Sequence, residues 1–137
     1  MRAFIDTSSL FKKYVEETGS AKMEAVLKEL SEITVSPVTW VEFNAVIARR
    51  LREKSLSREQ SVWLRSQAHK DFQSFHRVIW NEALEKKAAE LVYQFSLLTL
   101  DAIQLASGIL SKADIFVTSD RRLFEEANKI MRKTLFI

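Results

Sequence analysis

Cysteine is absent from the 137 residues, which removes disulfides, zinc–thiolate centres and thiol nucleophiles together and argues against a small secreted disulfide scaffold. Glycine occurs twice and proline once, leaving little room for long loops, linkers or a glycine-rich phosphate loop. No apolar run approaches the ~20 residues that cross a bilayer. The N-terminus lacks the basic-then-apolar layout of a signal peptide, so the expectation is a cytoplasmic protein without membrane contact. A large excess of either charge is also missing: the net charge of +3 and pI near 9.3 permit a polyanionic partner without requiring one. What remains is ordinary for a soluble globular chain, 47% hydrophobic and 28% charged, long enough for one domain over residues 1–137 with a real core.

The first informative stretch is Arg2 to Tyr14. Ala3, Phe4 and Ile5 form an apolar run without a helical stripe, closed by Asp6 and three hydroxyl residues. This reads as a buried strand ending at Asp6, with Ser8 capping a helix that starts at Ser9. Met23, Val26, Leu27 and Leu30 then mark an amphipathic helix. Ile33-Thr34-Val35 is a short strand, and Ser36-Pro37 is a helix start with serine as N-cap and proline at the first helical position. That helix carries Trp40, Phe43, Ile47 and Leu51 on one side, with Glu42 in its second turn. Ser57-Arg58-Glu59-Gln60 fits a capping box for a helix from Arg58 to Phe72 whose stripe is Trp63, Leu64, Ala68 and Phe72.

Phe75 to Trp80 reads as the next strand. Asn81 caps a helix with Leu84, Ala88, Leu91, Val92 and Phe95 on one face. From Thr99 to Leu110 the chain is apolar nearly all round, as in a helix buried on most sides, yet Asp101 sits in its first turn. Ile115 to Thr118 is another buried-type strand ending at Ser119-Asp120, then comes a helix with Leu123, Ala127 and Ile130, and Leu135 to Ile137 is an edge strand. Strands alternating with helices in this way imply a mostly parallel sheet with helices on both faces and the first strand central.

Asp6, Glu42, Asp101 and Asp120 all fall where such a sheet presents its carboxyl edge, the edge where ligands gather in open α/β folds. Each has a structural explanation as well. Asp6 and Asp120 could stabilise helix N-termini, and Glu42 could form a capping box with Thr39. Asp101 is harder to explain that way, because a charge among residues so apolar is costly without a partner. Taken together, crowded carboxylates repel unless a cation neutralises them. An all-oxygen set suits Mg²⁺ (or Mn²⁺) rather than zinc, and such a site can hydrolyse a phosphodiester without a protein nucleophile.

Phe-Ile-Asp-Thr-Ser-Ser-Leu-Phe-Lys-Lys-Tyr, Trp-Val-Glu-Phe, Leu-Asp-Ala-Ile-Gln-Leu-Ala and Phe-Val-Thr-Ser-Asp-Arg-Arg-Leu together resemble the acidic motifs of PIN-domain ribonucleases, above all VapC-type toxins of toxin–antitoxin modules. The resemblance runs in order through essentially the whole chain. It implies a PIN-like three-layer α/β fold with a five-stranded sheet in order 3-2-1-4-5 and helices on both faces. It also implies Asp6, Glu42, Asp101 and Asp120 as metal-binding and catalytic residues, Thr118 as support near the last acid, and Ser8 as support for the first turn. RNA cleavage, homodimers and a cognate antitoxin covering the site are further implications. In many relatives an arginine stands three residues before the third motif's aspartate and a histidine three after it; here Leu98 and Gln104 occupy those places, a departure that bears on how substrate or antitoxin is held.

Arg49 and Arg50 continue from the Glu42 helix, followed by Arg52 and Lys54, while Arg121 and Arg122 adjoin Asp120. Clusters of this kind grip phosphates, although a charged helix face is also simply solvated. His69 and His76 lie far in sequence from every acidic motif. A haloacid-type phosphatase would need an acid where Ser8 stands, and a phosphorylated receiver would need an acidic pair at the first strand and an aspartate after the third. The alternative from another class is a non-catalytic RNA-binding or protein-interaction module with this fold, its acids acting only as caps.

Overall fold

The computed structural model describes residues 1–137. Five short strands form one sheet: β1 (Arg2–Ile5), β2 (Glu32–Val35), β3 (His76–Arg77), β4 (Ile115–Thr118) and β5 (Thr134–Phe136). Their order is β3-β2-β1-β4-β5 and every pairing is parallel, so the first strand is central as expected. Seven helices connect them: α1 (Thr7–Leu10), α2 (Ser20–Lys28), α3 (Thr39–Arg52), α4 (Arg58–Ser74), α5 (Glu82–Phe95), α6 (Thr99–Ser111) and α7 (Arg121–Ile130). A 3-10 turn, Phe11–Lys13, extends α1.

The two-residue period of the central strands divides the core in two. Ala3, Ile5, Ile115 and Val117 face a layer built from Leu10, Phe11, Met23, Phe43, Ile47, Leu64, Ala68 and Phe72. Phe4 and Phe116 face the other way, into Leu84, Leu91, Ala102, Leu105, Ala106, Leu123 and Ala127. Those two rings stack with centroids 5.3 Å apart, and Gly108 lets α6 come close: a Cβ there would lie 2.5 Å from the Phe116 ring. A parallel sheet covered on both faces explains why β1 and β4 read as continuous apolar runs.

Local expectations were met unevenly. The Ser57–Gln60 capping box forms in full, and Asn81 caps α5. The first helix begins two residues early, because Asp6 rather than Ser8 accepts from Ser9 N–H as its N-cap. The helix after Pro37 begins two residues late: Ser36 Oγ accepts from Val38 N–H and Thr39 Oγ1 accepts from Ser36 N–H, so two hydroxyls wrap the proline into a turn before α3. Glu42 forms no capping box with Thr39. The third strand shrinks to His76–Arg77 because only that pair reaches the edge of β2. Trp63 is 56% exposed and Val92 38% exposed; both lie off the buried stripes assigned from periodicity.

Candidate functional site

Asp6 and the three acids Glu42, Asp101 and Asp120, which lie 36 to 114 positions after it in sequence, line a single open cleft of about 470 Å³ at the carboxyl edge of the sheet, together with Thr7, Ser8, Arg49, Arg52, Leu100 and Gln104. The end of β1 delivers Asp6, the first turn of α3 delivers Glu42, the first turn of α6 delivers Asp101, and the end of β4 delivers Asp120.

Asp6 is the most enclosed. Its Oδ1 accepts from Ser9 N–H at 3.0 Å and its Oδ2 from Thr118 Oγ1 at 2.6 Å, while the Ser8 hydroxyl is shared between both oxygens at 2.8 and 2.9 Å. Thr118 Oγ1 in turn accepts from Asp120 N–H, and Ser8 Oγ accepts from Ser119 N–H. Hydroxyls therefore stitch the end of β1 to the end of β4. Ser8 holds the first turn through Asp6, while Thr118, expected beside the last acid, gives its hydroxyl proton to Asp6 and only accepts from the backbone of Asp120. Burial nevertheless pushes the Asp6 carboxyl from 3.8 up to about 6, with the Asp120 charge adding to the rise and the hydrogen bonds opposing it.

Glu42 is raised by burial too, against hydrogen bonds from Gln104 and Thr7. Asp101 is raised by burial first, then by repulsion from Asp120 and Glu42, with Arg122 opposing. Asp120 Oδ1 accepts from Leu123 N–H at 2.9 Å, so it is both the cap of α7 and a wall of the cleft. None of the four takes part in any of the eight salt bridges of the molecule. Carboxylates that repel one another in a partly dry cleft, without a paired lysine or arginine, are a donor set that fits a hard divalent cation. No three of them stand close enough in this structure to close round one ion, so side chains would have to turn for three to hold one.

The basic residues separate into two groups. Arg49 and Arg52 line the cleft, on the same face of α3 as Glu42. Arg50 turns away: it bonds Glu17 at 2.8 Å and lies over the Phe11 ring. Arg121 stacks on Phe136 at 3.9 Å, and Arg122 donates to Ser96 O beside the start of α6. His76 faces Glu32 and His69 lies beside Trp40; neither lines the cleft. Sequence reasoning missed Thr7 and connected Gln104 with substrate or antitoxin rather than with Glu42, which both residues contact. The available signal was an amide in the middle of an otherwise apolar helix, three residues after Asp101, since a buried amide must find partners.

An all-parallel α/β sheet with four carboxylates lining a cleft at its carboxyl edge is the class that fold and site define. Residues 3–130 match the PIN domain family, and the chain belongs to that family. Solved structures of the same fold include a toxin–antitoxin complex from Klebsiella pneumoniae (17% identity, TM-score 0.66, covering 89% of each chain). Two others are FitAcB from Neisseria gonorrhoeae (14%, 0.70, 98% of this chain and 96% of that one) and VapBC-1 from nontypeable Haemophilus influenzae (14%, 0.66, 99% and 98%). No curated protein matches the sequence.

Proposed function

We propose that this PIN domain protein is a metal-dependent endoribonuclease, the toxin of a type II toxin–antitoxin pair, working in the cytoplasm as one domain and as a homodimer restrained by a cognate antitoxin. The observation that carries the reading is the gathering of four carboxylates from four separate elements, none of them ion-paired, in one cleft that Arg49 and Arg52 also line. Bound Mg²⁺ or Mn²⁺ would supply Lewis acidity toward a phosphodiester and toward water. Asp6, Glu42, Asp101 and Asp120 would hold it. Ser8 and Thr118 keep the Asp6 carboxylate aimed, and Thr7 does the same for Glu42. Arg49 and Arg52 take the RNA backbone as it leaves the acidic end of the cleft. Arg122, close enough to Asp101 to influence its ionisation, is the cation next to the third acid. The antitoxin draws support from a structural neighbour that is itself a toxin–antitoxin complex.

The test uses purified protein with Mn²⁺, Mg²⁺ or EDTA and a mixed RNA substrate. Wild type cleaves only with metal, and Asp6→Asn or Asp101→Asn abolishes cleavage while thermal unfolding stays cooperative. Retained cleavage in either purified variant removes that residue from the chemistry, and failure of wild type to take up Mn²⁺ favours a non-catalytic module. Expression alone and together with the adjacent reading frame tests the toxin assignment, because growth arrest should be relieved by the neighbour.

A further inference from the structure

Gln104 is 2% exposed in the middle of α6, between Ile103 and Leu105. Its Nε2 lies 2.5 Å from Glu42 Oε1, 3.0 Å from Thr7 Oγ1 and 3.3 Å from Thr39 Oγ1, so one amide meets α1 and both ends of the first turn of α3. Its own carbonyl oxygen, Oε1, is buried with no partner. We propose that Gln104 is a positioning residue, whose buried amide fixes the Glu42 carboxylate for metal binding at a cost to the fold. The inference rests on the metal-dependent reading above and adds the residue that aims one of its ligands.

The arrangement of protons supports this. The Thr7 hydroxyl donates to Glu42 Oε1 at 3.1 Å, so its lone pairs are what Gln104 meets. Thr39 Oγ1 accepts from Ser36 N–H and likewise offers Gln104 a lone pair. The donors converge on Oε1 of Glu42, and Oε2 is left unbonded. Packing alone does not account for the amide. An orphaned buried carbonyl disfavours the folded state, and leucine or methionine at 104 would leave no such orphan. The chemistry of Glu42 does account for it. Lysine or arginine at 104 would orient the carboxylate and cancel its charge, whereas a neutral N–H donor orients it and leaves the charge available to a cation.

The experiment compares wild type with Gln104→Leu, Gln104→Met and Gln104→His. It measures unfolding without metal, Mn²⁺ affinity from the free-ion EPR signal at pH 8, and the Mn²⁺ concentration for half-maximal RNA cleavage. The expected result for Leu and Met is metal-free thermal stability equal to or above wild type, with Mn²⁺ affinity weakened roughly 10- to 100-fold, as for loss of a group that orients a ligand. Gln104→His, a neutral N–H donor at that pH, recovers most of the affinity. Lower metal-free stability in both apolar variants with unchanged Mn²⁺ affinity would show that the amide is structural and overturn the proposal, as would loss of cooperative unfolding in both. Mn²⁺ binding by wild type and all variants alike sinks this inference and leaves the nuclease reading standing; no binding by wild type sinks both.

Discussion

Asp6 accepts three kinds of hydrogen bond and still has its carboxyl pushed up to about 6 from 3.8. Desolvation outweighs them. Because the folded pKa lies above the unfolded one, the folded state holds the extra proton between those values, and stability falls as pH rises through that window. The penalty is absent below 3.8 and complete above about 6, where it amounts to about 3 kcal/mol. The metal-free protein is therefore expected to gain from Asp6→Asn at pH 7.5 and much less at pH 4.5, measured as the difference in Tm between the two proteins. Parallel Tm profiles across that range would refute the burial argument. Mn²⁺ should raise the wild-type Tm at pH 7.5 and barely at pH 5, since a protonated carboxyl is a poor ligand. Arg50 makes the opposite kind of contribution. It is tied to Glu17 and Phe11, so Arg50→Ala should lower stability by about 1 kcal/mol and leave RNA affinity unchanged.

At the scale of the element, α6 carries the conflicting demands. It must lie against the sheet, supply Asp101 and bury Gln104. Gly108 permits the first, since an added methyl would meet Phe116 at 2.5 Å while Phe116 is held against Phe4. Overpacking of this sort costs roughly 1–3 kcal/mol, against about 1 kcal/mol that alanine returns through helix propensity. Gly108→Ala is thus expected to be net destabilising by denaturant unfolding, and a more stable variant would mean that the ring moves freely. Helix α3 divides its faces just as plainly. Phe43 and Ile47 enter the core, while Glu42, Arg49 and Arg52 line the cleft. The existence of these helices was legible in their periodicity. Their starts at Asp6 and Val38 were not, because several hydroxyls and an acid compete for the same free N–H groups, and side-chain geometry decides among them.

Across the whole molecule the net charge is only +3, so RNA binding depends on where the cations lie rather than on their number. Arg49 and Arg52 lie in the cleft without ion-pair partners. Removing both should reduce RNA affinity and flatten the dependence of log K on log salt by roughly 1.4, at about 0.7 per phosphate contact with a single strand. An unchanged slope would place the RNA elsewhere.

The sequence by itself determined the layers and a parallel sheet with its first strand central, its resemblance to PIN domains supplied the full strand order, and it singled out the four acids that share one cleft. Apolar period in strand and helix is a local property, and an acid ending an apolar run marks the sheet edge without knowledge of its neighbours. Only the tertiary structure decided which cations share the cleft, that Arg50 leaves it, and that Gln104 and Thr7 hold Glu42. Those contacts join residues 35 to 97 positions apart. They depend on the rotation of each helix about its own axis, which is set by packing against both faces of the sheet and is not encoded in any one segment.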